Sequence, residues 1–137
     1  MEHRQDTRRG DSMVDYVLSG RDGKGLVSGL AAEFRDGYPL DRLFLLLDSE
    51  DPQVAVTGAM IASEISELVA PIADRLSAYL SHPTPWVRSD IADALLNSGP
   101  PYSRQTLTAL EGLTSDENDG IRRKAQAFVK TVGDPLT

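Results

Sequence analysis

The sequence predicts an all-α protein, built as three helix pairs in series behind an N-terminal helical cap. Three observations predict it. The segments DPQVAV from Asp51, TPWVRS from Thr84 and NDGIRR from Asn118 align on Val54, Val87 and Ile121, at separations of 33 and 34 residues. A period of that size marks supersecondary units that bury their apolar faces by stacking. Around these anchors apolar residues recur at helical spacing, with Ile61 and Ala62, Ala94 and Leu95, and Phe128 and Val129 seven and eight positions on. No β-branched alternation bounded by hairpin turns is present. A chain of 137 residues with 40% hydrophobic content fits one domain with its own core.

Residues 1–10, MEHRQDTRRG, carry no apolar periodicity and read as a flexible tail; with no apolar stretch after them they do not resemble a secretory signal. The single domain then covers 11–137. DSMVDYVLSG and KGLVSGLAAEFRDG read as helices near 12–18 and 24–36, and they follow the period poorly. End units of a stack need a solvent-facing side, so residues 11–37 are assigned as the cap. GRDGKG, from Gly20, has the composition of a phosphate loop. It lacks the spacing and the Lys-Ser/Thr ending after a strand, and reads as a link between the two cap helices.

The first repeat, about 39–66, has a helix A over 39–48 (Leu40, Leu43, Leu47), the turn DSEDP, and a helix B over 52–66. The second, about 70–98, has helix A over 70–81 (Ala73, Leu76, Leu80), the turn SHPTP, and helix B over 84–98. That last helix has Thr84 as N-cap, Pro85 at its first position and Gly99 at its exit. The third, about 103–132, has helix A over 103–114 (Leu107, Leu110) with Leu113 beside Thr114 where the pattern asks for an apolar residue. The turn TSDENDG leads to its helix B over 119–132. Pro71 and the run SGPPYS separate one pair from the next.

Composition narrows the role. There are 14 basic and 21 acidic side chains, a net charge of −7. Nucleic-acid binding draws on Lys and Arg to displace counterions, and anionic membranes attract the same residues, so neither partner is expected. An acidic surface suits a basic protein partner, and it also serves solubility alone. The chain has no cysteine, which excludes disulfides, thiolate metal sites and cysteine nucleophiles and is compatible with the cytoplasm, the expected location. No stretch is long and apolar enough to span a bilayer.

Pro52 and Val54, then Pro85, Val87 and Arg88, then Ile121 and Arg122, recur at matched positions, with Ala92 and Ala125 where helices pack closely. Over residues 39–132 this resembles the HEAT repeat family, of the armadillo type. The first unit departs from the family pattern, with Ala55 where arginine is favoured and Gly58 where alanine is usual. The resemblance implies a short right-handed alpha-alpha superhelix, a HEAT-like solenoid, whose B helices line a concave surface used for partners. It specifies no role, since such folds host many.

At roughly 100° per residue, Trp86, Asp90, Asp93 and Asn97 share the arc opposite the core face of their helix. The same arc holds Gln53, Thr57, Met60 and Glu64 in the first unit, and Gly120, Lys124, Ala127 and Thr131 in the third. Trp86 is the only tryptophan. Two placements are open for it: an exposed anchor for a partner, with Met60 beside it and Asp90, Asp93 and Glu64 meeting basic groups, or a ring folded over the turn and packed on Pro83 or a neighbouring repeat. Two acidic clusters, Asp48, Glu50 and Asp51, and Asp116, Glu117 and Asp119, flank His82 along the turns. Asp51 and Asp119 have a structural role in offsetting helix dipoles; Asp48, Glu50 and Glu117 remain available to a partner.

Signals for chemistry are weak. DENDG, from Asp116, places glycine fifth and Ala127 at the twelfth position, unlike a calcium loop. The histidines are His3 and His82 alone, too few for a zinc site. A Ser-His-Asp set needs Ser81 or Ser115 beside His82, with no nucleophile elbow to support it. The expectation is a non-catalytic binding module without cofactor or metal. In size, acidity, lack of cysteine and helical-repeat pattern the chain also resembles immunity proteins of bacterial toxin–antitoxin competition, which implies neutralisation of a basic toxin. A scaffold or regulatory adaptor that binds a peptide in the same groove is the alternative. A nucleic-acid-binding repeat protein has only the cluster Arg122, Arg123, Lys124 and Lys130 in its favour. A monomer, or a dimer through the third repeat, fits equally.

Overall fold

The computed structural model describes residues 6–132. Within them lie eight α-helices and no strand: α1 Arg8–Leu18, α2 Val27–Arg35, α3 Leu43–Leu47, α4 Pro52–Glu64, α5 Ala73–Ser77, α6 Pro85–Ser98, α7 Arg104–Gly112 and α8 Asp119–Val132. The B helices α4, α6 and α8 match the periodic reading closely. The A helices are shorter α-segments lengthened by 3₁₀ turns, Leu40–Arg42 before α3, Ala70–Ile72 and Ala78–Ser81 around α5, and Leu113–Ser115 after α7. Helix α1 starts at Arg8 and so takes residues 8–10 out of the expected tail, because the Asp6 carboxylate accepts the Arg8 backbone N–H at 3.0 Å and starts the first turn. Residues 1–5 of that tail lie outside the described residues, as do residues 133–137 at the end of the expected domain.

Local chemistry sets the helix ends. Asp51 caps α4 by accepting the Gln53 N–H at 2.9 Å, and Pro52 takes the first helical position, where its missing N–H costs nothing. Ser103 caps α7 and Asn118 caps α8, accepting from Thr106 and Ile121 at 3.0 and 3.1 Å. Thr84 holds the N-cap position of α6, but its hydroxyl makes no capping bond. Its own N–H donates to His82 Nδ1 at 3.0 Å, which ties the turn together from the other side. Gly99 closes α6 at φ 79°, a conformation that costs glycine little.

Each A helix packs on the B helix that follows it, and each pair contacts the next through α4–α6, α6–α8 and α5–α7. The α4–α6 contact is the most extensive of these. The cap covers the first pair, with α2 on α4 and α1 on α2, α3 and α4. Arg35 locks this cover, donating to the Glu67 carboxylate at 2.7 Å and to the Glu64 carbonyl at 2.6 Å. The periodic anchors Val54, Val87 and Ile121, and Leu43, Leu76 and Leu110, are all buried in one continuous core. Leu113, not Thr114, fills the third unit's last A position.

Candidate functional site

Helix α6 begins at Pro85, so Trp86 stands in its first turn, one position before the fully buried Val87 and about 100° away from it. The offset turns the indole out of the core. Trp86 is 70% exposed, the most exposed large apolar side chain among the described residues. The ring is therefore open to solvent and not folded away over the turn.

The indole forms a ridge between two open depressions. One, of about 520 Å³, is lined by Lys24, Gln53, Val56, Met60, Trp86 and Asp90. The other, of about 490 Å³, is lined by Pro85, Trp86, Ser89, Asn118, Gly120, Ile121 and Lys124. A third, of about 330 Å³, shares Met60 and Asp90 with the first and adds Val27, Ser63 and Glu64. Together they make a groove across α4, α6 and α8. Of the expected site residues it gathers Trp86, Asp90, Met60 and Glu64.

The others stand elsewhere or are engaged. Asp93 pairs with Lys124 at 2.7 Å, and Lys124 also donates to Ser89 Oγ at 3.1 Å. Asn97 is exposed but lines none of the three depressions. Asp48 accepts the Tyr79 hydroxyl and lies 3.9 Å from Arg75, so it belongs to the contact between the first two A helices. Glu50 is exposed and outside the groove. Thr57, placed on the arc by the helical wheel, is buried, and its hydroxyl returns to the Gln53 carbonyl at 3.0 Å.

The cap loop explains Thr57 and adds a residue that the sequence reading missed. Gly23 lies so close to α1 and α4 that a Cβ there would meet Val17 Cγ2 at 2.8 Å and Thr57 Cγ2 at 3.2 Å. This close approach seats the loop over Thr57 and brings Lys24 to the groove. Nothing in the local sequence gives that path. Val56 was easier to find: two positions after Val54, it falls beside Met60 on the helical wheel and extends the apolar part of that arc.

Asp90 is the electrostatic centre of the groove. It is half-buried, and its carboxylate makes no hydrogen bond or salt bridge to any described residue. Burial raises its carboxyl above the usual range; the neighbouring charge of Asp93 raises it further, against the pull of Lys124. The protein thus holds a carboxylate where its surroundings disfavour the charge, a pattern enriched at functional positions.

The turn edge is different. Arg88 and Asp116 form a two-pronged pair at 2.9 and 3.0 Å with side chains 9% and 7% exposed. Arg88 donates further to the carbonyl of His82 at 2.9 Å. Burial pushes the Asp116 carboxyl up, but the Arg88 hydrogen bonds, the Asn118 N–H and the charges of Arg88 and Arg122 outweigh it and hold it below its ordinary value. Burial and the charge of Arg88 hold His82 below its usual value. Its Nδ1 is taken by Thr84, and no hydrogen bond joins it to a serine hydroxyl among the described residues. In the basic cluster, Arg122 and Arg123 both pair with Asp119. With Lys124 on Asp93, only Lys130 of the four carries no carboxylate partner among the described residues. No group of three or more His, Asp or Glu among those residues is placed to hold a metal ion. No described helix is long and apolar enough to cross a membrane.

The fold and the groove define an all-α protein of serial helix pairs that displays one aromatic ridge on its B-helix side. No protein-family model, curated protein or solved structure matches this chain.

Proposed function

We propose that the chain is a non-catalytic protein-binding module, a HEAT-like array whose B-helix groove docks a basic protein partner. In its sharper form it is an immunity protein and the partner a cognate bacterial toxin domain. The observation that carries the reading is Trp86, 70% exposed between two depressions on a chain of net charge −7. A large exposed indole on a rigid helix supplies contact area at low entropic cost, and tryptophan is over-represented among residues that dominate binding energy. Arg122, Arg123 and Lys124, the cluster a nucleic-acid reading draws on, are each paired with a carboxylate of the chain itself, which weakens that reading.

The test is calorimetric titration of the purified chain with the protein encoded by the neighbouring gene, repeated with Trp86→Ala. Binding is expected, and the variant should weaken it about thirty-fold or more, the effect of losing an anchor of about 2 kcal/mol. No association with that protein would overturn the toxin-specific form. A basic partner found by any route whose affinity ignores Trp86→Ala would overturn the groove as the docking face.

A further inference from the structure

We infer that the groove beside Trp86 takes an arginine side chain of the partner, its guanidinium stacked on the indole and paired with Asp90, while apolar neighbours in the same segment sit on Val56 and Met60. The inference rests on the reading of this face as a docking surface and names the chemistry that the face selects.

Trp86 and Asp90 are one helical turn apart on α6 and line the same depression. Side chains four apart on a helix have Cβ atoms about 5–6 Å from each other. A cation is drawn to an indole face within about 6 Å of the ring centre. One planar cation can therefore lie on the ring and reach the carboxylate with no change in the backbone. The chain's own cations leave that place open. Lys124 is held by Asp93 and Ser89, and Lys24 lines the depression without forming a salt bridge to Asp90. Glu64, beyond Met60 in the adjoining depression, adds a second negative charge on the α4 side. The depression on the α8 side is lined by no carboxylate and its one charged group, Lys124, is already paired with Asp93, so the negative charge of the groove lies toward α4.

Arginine fits better than lysine for two reasons. Its flat guanidinium stacks on an aromatic face, and two of its N–H groups match one carboxylate. Its methylenes also cover apolar surface, which Val56 and Met60 supply here in partly buried form. Burial of Asp90, which disfavours its charge in the unbound chain, adds to the gain on pairing, because an incoming cation relieves it.

Since Trp86 is the only tryptophan, emission excited beyond the absorption of the four tyrosines reports this position alone. The probes are capped heptapeptides with one central arginine flanked by leucines, and counterparts with citrulline or lysine in the centre. Saturable change in the emission is expected with the arginine peptide, at an affinity about ten-fold above the citrulline peptide, with lysine between. Asp90→Asn should remove that margin and leave citrulline binding unchanged, whereas Asp41→Asn, exposed and outside the groove, should change neither. Equal binding of arginine and citrulline peptides, or an arginine margin that survives Asp90→Asn, would overturn the inference. If no peptide binds while a folded basic partner still depends on Trp86, the arginine inference falls and the docking reading stands. If that partner is indifferent to Trp86→Ala, both fall.

Discussion

The two joints between helix pairs are built on different physics. At the second, Arg88 of α6 crosses to Asp116 in the turn before α8, and both side chains are nearly sealed from water. The positions that correspond to these in the first joint are Ala55 and His82, so the ion pair is missing as a unit. This is what electrostatics demands, because a buried charge that keeps its site but loses its partner costs several kcal/mol. The first joint relies mainly on close apolar contact, with Tyr79 and Arg75 reaching Asp48 at its exposed edge. Ala55, Ala59 and Ala62 of α4 are fully buried, and α4 meets α6 over the largest helix contact among the described residues. Phe44 stacks on Tyr79 with Arg75 3.8 Å from the Phe44 ring centre. Apolar contact is non-directional, and the polar contacts beside it at Asp48 are exposed, whereas the buried two-pronged ion pair fixes orientation. Helix α6 serves both joints, so the two halves of the groove flanking Trp86 rest on different supports.

The largest effect expected on breaking this contrast is at Arg88. Arg88→Ala leaves Asp116 buried without its partner and should cost about 3–5 kcal/mol in urea denaturation. Replacing both, as Arg88→Met with Asp116→Leu, should recover most of it. A loss under about 1 kcal/mol would mean that the second joint is not ionic in any energetic sense. Next is Gly58, where α4 approaches α3. An added Cβ would meet Leu46 Cβ at 2.9 Å and Leu47 at 3.3 Å. Gly58→Val should therefore destabilise by about 1–3 kcal/mol, although glycine is a poor helix former. An unchanged melting temperature would show that the first pair has slack.

The pH response separates the joints more finely. The folded-state carboxyl of Asp116 lies below its ordinary value, so the stability it contributes is present above the unfolded value, near about 4, and is lost as pH falls through the lowered folded one. The stability gap between the natural chain and Asp116→Asn should therefore shrink on acidification, as followed by circular dichroism. Asp90 has the opposite sign: its folded value is raised, so its charge opposes folding above that value and protonation relieves the cost. Asp90→Asn should leave neutral-pH stability equal or slightly higher. The smallest effect is at Trp86: as it is 70% exposed, Trp86→Ala should change stability by no more than about 0.5 kcal/mol. A substantial fall in melting temperature would assign it a packing role.

Much of the fold was legible. The pairing of A and B helices, their order and their buried anchors follow from periodic burial, to within a few residues at the ends. The resemblance to a right-handed solenoid goes further than the observed helix contacts and stays with the proposal. The A helices were harder to read because 3₁₀ turns keep apolar residues on one side as well as α-helix does. In the site, the arc of Trp86, Asp90, Met60 and Glu64 was readable because all four lie on helices of known phase. Thr57 was misplaced and Lys24 unseen for one cause, the path of a loop that Gly23 allows to settle on α4.

Where each helix runs, which side is apolar and which side carries the indole are set along the chain itself, because burial repeats with the helical turn and needs only near neighbours. Which carboxylates are spent and which stay open belongs to the tertiary structure. Lys124 reaches Asp93, and Arg88 reaches Asp116, across separations of 31 and 28 residues, while Asp90 is left without a salt bridge. Ion pairs form where packing brings side chains within a few ångströms, and no local pattern encodes that distance.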